Sequence, residues 1–218
     1  MRELQPGLWH WQAPHPDWEP DAIWPELVSS YALDDAAGLL LFDPIAVPDE
    51  LLSLTAEREP LIVLTAPWHE RDAEALVERL DAPVYTPRAE SAQELIDAFG
   101  ITAEQAGDGS PDLRWLRHGG GEAHWYEAGD TLPFGARAFP GRNPHDFVLW
   151  IESARAVVAG DTLADFGEGL GLNKWLHGDA NRDEIVAGLR PLLDLPIELV
   201  LPAHGEPTDR AALERALA

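Results

Sequence analysis

A four-layer αββα sandwich, two β-sheets packed face to face with helices on both outer surfaces, is the fold that this α/β sequence predicts. Three observations carry the prediction. Hairpin patterns occur in the first and third quarters of the chain, and each leads into strand–helix units. Short runs such as Leu61-Ile62-Val63-Leu64 have the unbroken hydrophobicity of strands buried on both faces. At 218 residues, with no linker rich in Pro, Gly or Ser, the chain reads as one domain spanning 1–218.

The elements follow in order. Residues 8–18 are rich in Trp and His, and strand alternation puts Trp9 and Trp11 on one face and His10 on the other. The Trp pair is expected in the core. Residues 28–33 read as a strand, 34–38 as a turn and 38–43 as the returning strand. A helix is expected over 48–57, a strand over 61–64, and an amphipathic helix over 72–80 with Ala73, Leu76 and Leu80 on one face. A strand over 83–86 precedes a helix over 91–99, whose Ser91 and Glu94 fit a capping box. Residues 100–121 read as a loose connection. Strands are expected at 124–127, 136–139, 147–152, 156–159 and 199–201, and helices at 182–192 and 209–217.

Composition excludes several functions. With no cysteine, disulfides, thiol catalysis and thiolate metal sites are absent. Fifteen Lys and Arg against thirty-nine Asp and Glu leave a net charge of −24, which repels phosphate backbones and anionic lipid. Neither nucleic acid nor membrane is an expected partner. No apolar stretch approaches the roughly 20 residues of a membrane span, and the first residues form no apolar signal core, so a cytoplasmic protein is expected. There is no Gly-x-Ser-x-Gly elbow, and His118-Gly119-Gly120-Gly121 lacks the lysine of a phosphate loop. Nine tryptophans leave room for a homo-oligomer interface.

Four stretches carry a further signal: "SSYALDDAAGLLLFDP" (29–44), "IVLTAPWHERDAEALVERLDAPVYTP" (62–87), "FPGRNPHDFVLWIESARAVVAGDTLADF" (139–166) and "LVLPAHGEPT" (199–208). Taken together and in order, they resemble the metallo-β-lactamase fold family. The first is similar to that family's opening hairpin, which ends in an aspartate. The second is similar to its strand, metal loop and helix, and the last two resemble its later metal loops. The resemblance implies a hydrolase with two metal ions held by a His-x-His-x-Asp-His loop. Here those slots hold Ala66, Trp68, Glu70 and Arg71, and a later histidine slot holds Arg142. Alanine has no lone pair, indole N–H only donates, and guanidinium has no acceptor. Asp161 and His204 retain the family's bridging-carboxylate and last-histidine positions.

Two readings of the cofactor stay open. In the first, no metal is bound. Arg71 pairs with Asp161 or Glu70 in its place, and the protein binds a small molecule or is inactive. In the second, one zinc, iron or manganese ion is held by Asp161 and His204 with Glu70, His69 or His145, and activates water to hydrolyse an ester, lactone, thioester or phosphoester. A metal-free hydrolase would use His69 or His204 as base and Arg71 or Arg142 as oxyanion stabiliser, with Asp161 completing the catalytic set. The arginine beside His69 is expected to disfavour its protonated form. Trp68 is expected to plug the vacated volume or to offer a stacking surface. His15, Trp68, Arg142 and His145 are the candidate pocket residues, with Leu170, Asn173, Trp175 and His177 as further lining.

Overall fold

The computed structural model describes residues 1–176 and 180–218. His177 therefore lies outside the described residues. The first sheet has seven strands in sequential order: β1 (Arg2–Gln5), β2 (Leu8–Pro14), β3 (Leu27–Asp35), β4 (Gly38–Phe42), β5 (Pro60–Val63), β6 (Val84–Thr86) and β7 (Ala123–Trp125). Its first four strands are antiparallel, and β4 through β7 are parallel. The second sheet uses β8 (Ala136–Pro140), β9 (Phe147–Ile151), β10 (Ala156–Gly160), β13 (Leu199–Pro202) and β14 (Thr208–Asp209), in the order β14-β13-β10-β9-β8. A small ribbon joins β11 (Leu163–Ala164) and β12 (Gly171–Leu172). The helices are α1 (Asp49–Leu54), α2 (Ala73–Leu80), α3 (Ala92–Phe99), α4 (Ala103–Ala106), α5 (Arg114–Arg117), α6 (Arg182–Leu189) and α7 (Arg210–Ala216).

Alternation explains the layering. In β4, Leu40 and Phe42 point inward to meet Leu149 and Ile151 of β9 and Val158 of β10 between the sheets. Leu39 and Leu41 point the other way, against Leu51 of α1, Leu76 and Val77 of α2, and Leu116 of α5. On the second sheet, Val148, Trp150 and Val157 face Val186 and Leu189 of α6 and Leu213 of α7. Strands covered on both faces must be apolar at every position, which is why these runs are unbroken. Trp11 is buried in the outer layer and donates from Nε1 to Ile45 O at 2.7 Å, while Trp9 is only half-buried.

Four element assignments need correction. β1 has no counterpart in the sequence reading, because its register slips after Glu3 and two of its residues are exposed. The helix expected over 48–57 is confined to Asp49–Leu54. The connection over 100–121 contains α4 and α5, each a single turn. The helix expected over 182–192 ends as α at Leu189 and tightens into a 3₁₀ turn at Arg190–Asp194, where Pro191 removes a backbone donor.

The capping box at Ser91 forms as expected, with Ser91 Oγ accepting from Glu94 N and Glu94 Oε2 accepting from Ser91 N at 2.7 Å. We expect Ser91→Ala to lower stability by about 1 kcal/mol in chemical denaturation. A loss under a few tenths would show that α3 is held by its packing alone.

Among the described residues, no helix is long and apolar enough to cross a membrane.

Candidate functional site

The chemistry gathers where parallel strands run out. β4 ends at Asp43, β5 at Thr65 and the loop to His69, β10 at Asp161, and β13 at His204. β8 is antiparallel to β9 as β10 is, so its end delivers Arg142 to the same edge. The two sheets are tied there by Ser29 N donating to Ala203 O at 2.8 Å and Phe147 N donating to Thr65 O at 2.9 Å.

His69 is the hinge of the site. Its Nδ1 lies 3.0 Å from Asp43 Oδ2 and its Nε2 lies 3.3 Å from Asp161 Oδ1. Burial alone would favour the neutral ring, but the two carboxylates outweigh it and push the His69 pKa up to about 9. This corrects the expectation that Arg71 suppresses the protonated form. Burial pushes Asp43 up, but the His69 imidazolium and its hydrogen bond dominate and hold it below the ordinary carboxylate value. Asp43 also accepts from Thr65 N and Thr65 Oγ1, at 2.8 and 2.7 Å.

Asp161 is buried, and both of its oxygens face donors. Oδ2 accepts from Trp68 Nε1 at 3.0 Å and from Arg142 Nη2 at 2.9 Å. Oδ1 lies 3.3 Å from Nε2 of both His69 and His204, without a well-formed hydrogen bond. Burial opposes its charge, yet the His69 cation and the two histidine contacts hold it well below the usual carboxylate range. Arg142 extends from this carboxylate to a second one. Its Nε lies 3.0 Å from Asp146 Oδ2, and its Nη1 donates to Trp175 O at 2.6 Å. Asp146, fully buried, is raised to about 7, burial outweighing the arginine beside it.

The arginine that pairs with Asp161 is thus Arg142, not Arg71. Arg71 Nη1 donates to Ser29 O at 3.0 Å and Asp43 O at 2.7 Å, because its backbone takes a left-handed φ of 40° that aims the side chain at the β3–β4 hairpin. Glu70 pairs with neither arginine; its Oε2 accepts from Leu113 N at 2.8 Å and Trp115 Nε1 at 2.9 Å.

A cleft of about 420 Å³ opens over these groups, lined by His15, Trp68, His69, Glu70, Arg71, Asp161 and His204. Trp24, Trp175, Asp17 and Asp112 complete its wall. Arg142 is not on that wall; it is buried at 4% exposure. His145 is not in this cleft either, because its Nδ1 donates to Arg88 O at 2.6 Å and its Nε2 faces Glu94 Oε1 at 3.2 Å, beside a separate cavity of about 650 Å³. Asn173 is buried and accepts from Trp175 N, whereas Leu170 lines another surface pocket. Asp146, Trp24 and Asp112 were not singled out from the sequence, whereas Asp17 was, as a residue that the loop stiffened by Pro14 and Pro16 would present to a pocket. Asp43 had one signal, the aspartate that closes the opening hairpin.

No protein-family model and no curated protein sequence matches the chain. Solved structures do. TTHA1623 in a di-iron-bound form aligns at 27% identity over 91% of this chain and 98% of its own, with a TM-score of 0.59. ST1585 from Sulfolobus tokodaii, an archaeal metallo-β-lactamase superfamily protein, aligns at 16% identity over 97% and 84%, with a TM-score of 0.65. TTHA1429 from Thermus thermophilus, a metallo-β-lactamase family protein, aligns at 19% identity over 98% and 78%, with a TM-score of 0.58. Two sheets packed between helix layers, a cleft at the strand ends and these neighbours together give this chain the metallo-β-lactamase fold.

Proposed function

We propose that this chain is a metal-independent small-molecule-binding protein, in which fixed cations occupy the electrostatic place of the fold's metal ions. The observation that carries the reading is the state of Asp161. Both donors to its Oδ2, Trp68 Nε1 and Arg142 Nη2, come from positions where the fold family places histidines. A carboxylate whose Oδ2 accepts from an indole and a guanidinium has only Oδ1 left for an ion, and a permanent cation 2.9 Å away repels one. His69 supports the reading too. Its two ring nitrogens face Asp43 Oδ2 and Asp161 Oδ1, so an ion would have to displace a proton that both carboxylates hold. Ala66 contributes no donor atom. Among the described residues, no group of three or more His, Asp or Glu side chains is arranged to hold a metal ion.

A one-ion hydrolase is the second reading, and one observation favours it. Asp161 Oδ1 is buried, accepts no well-formed hydrogen bond and lies 3.3 Å from two histidine nitrogens. A neighbour that carries iron, TTHA1623, adds to it.

Thermal unfolding with and without metals separates the two. An ion bound only by the folded state at a hundredfold excess over its Kd adds about 2.7 kcal/mol. On the metal-independent reading, EDTA, zinc, iron and manganese each leave the midpoint within about 1 °C. A rise of several degrees with one metal, reversed by EDTA and absent in His204→Ala, would overturn it.

A further inference from the structure

The cleft wall combines aromatic rings with carboxylates that have no counter-ion. Trp24, Trp68 and Trp175 all line it. Each indole is held in place by neighbours. Trp24 meets His15 and His204 edge-on at 5.2 and 5.4 Å, and Trp175 leans on Phe166 at 5.3 Å. Trp68 already takes the Arg142 guanidinium over its ring at 5.5 Å, so one ring of this wall already acts as a cation acceptor. Aromatic faces held rigidly before a ligand arrives spare it the entropic cost of ordering them.

The charges point the same way. Among the described residues, Asp17, Glu70 and Asp112 form no ion pair, although Glu70 Oε2 accepts from Leu113 N and Trp115 Nε1, and Asp112 Oδ2 accepts from Ser110 Oγ. Two cations line the cleft: Arg71, whose Nη1 donates to hairpin carbonyls while its buried Nε has no partner, and His69, which lies between Asp43 and Asp161. Asp17, Glu70, Asp112 and Asp161 outnumber these two cations on the wall, so an anion entering here would be repelled. A cation would find the reverse, drawn in by a chain of net charge −24.

We infer that the cleft binds a small organic ammonium ion, its cationic head among the three indoles and facing Asp17 and Asp112. The inference rests on the metal-independent reading of this site, since an ion on Asp161 would reverse the local charge.

The probe is choline chloride, titrated calorimetrically into the full chain in EDTA, beside its neutral carbon isostere 3,3-dimethyl-1-butanol and the anion pivalate. Choline is expected to saturate one site at least about ten-fold more tightly than the neutral isostere, with no pivalate binding. Trp175→Leu and Asp112→Asn, checked as folded by circular dichroism, are each expected to weaken choline about five-fold or more. Equal affinity for choline and the isostere, tighter pivalate binding, no saturation by about 50 mM choline, or two variants that bind as wild type would each overturn the inference. Elemental analysis of the same sample keeps the two failures apart. Absent choline binding with no metal sinks this inference alone, whereas a stoichiometric ion sinks the reading beneath it.

Discussion

Replacing Arg142 by alanine is expected to lower folding stability by about 3–5 kcal/mol, the loss typical of breaking a buried ion pair from one side. Arg142 is 4% exposed, and its fork spans Asp146 and Asp161, which are 0% and 5% exposed. Without it, two buried carboxylates share one pocket with His69 as the nearest charged partner. One of them must take up a proton, and Asp146, already raised to about 7 by burial, is the one. The loss should therefore shrink when the measurement moves from pH 8 to pH 5. Arg142→Lys keeps the charge but not the two-pronged geometry, and should lie between wild type and alanine. In the double variant Arg142→Ala/Asp161→Asn the stranded charge is gone, so the two losses should add to less than their sum. A loss below about 1 kcal/mol by urea denaturation at pH 7.5 would mean that Arg142 is not the internal counter-ion described here.

The second large effect is a fall in stability on the alkaline side of neutrality. His69 has a folded pKa of about 9 against an ordinary 6.5. A group whose pKa is raised on folding stabilises fully below its unfolded pKa, and that stabilisation disappears as pH rises through the folded one. The window is thus pH 6.5 to 9, and the size is about 3 kcal/mol for a shift of this order. Asp146 acts with the same sign but lower, between its ordinary value and about 7. Asp43 and Asp161 have depressed values, so their contributions are present above the ordinary carboxylate pKa and are lost only in acid. They leave the alkaline limb untouched. Unfolding free energies measured from pH 6 to 9.5 should show the full decline in the wild type, and in His69→Gln only the smaller part that belongs to Asp146. A wild-type curve that stays flat over the interval would remove the Asp43–His69–Asp161 ion triplet from the account.

The sheets were legible because their strands are covered on both faces, so Leu39 to Leu41 and Phe147 to Ile151 are apolar without interruption. Helix α3 was legible through a local device, the Ser91–Glu94 box. Helix α5 was not, since its single turn follows Leu113 in a left-handed conformation and is anchored by a bond from Leu113 N to Glu70, forty-three residues earlier. The site divides in the same manner. Asp161 and His204 were found through the order of the loops that bear them. The partner of Asp161 was not, because Arg71 and Arg142 are equal as charges. Only the left-handed backbone at Arg71 and the convergence of the β8–β9 loop on β10 decide between them. Asp146 carries no sequence signal at all; its role exists only once Arg142 is folded over it. His69 was misjudged in charge for a related reason. Its neighbours in space are Asp43 and Asp161, whereas its near neighbour in sequence, Arg71, spends its Nη1 donor on carbonyls.

The central claim, that an arginine and a protonated histidine stand where the fold elsewhere holds metal, is tested most directly by metal stoichiometry. Untagged protein would be expressed with zinc, iron and manganese supplied in turn, desalted and assayed by elemental analysis. The account predicts less than about 0.1 equivalent of any ion, with an Arg142→Ala/Trp68→His variant binding more than the wild type because a repelling cation is removed and a ligand supplied. About one equivalent in the wild type, lost on His204→Ala, would contradict it.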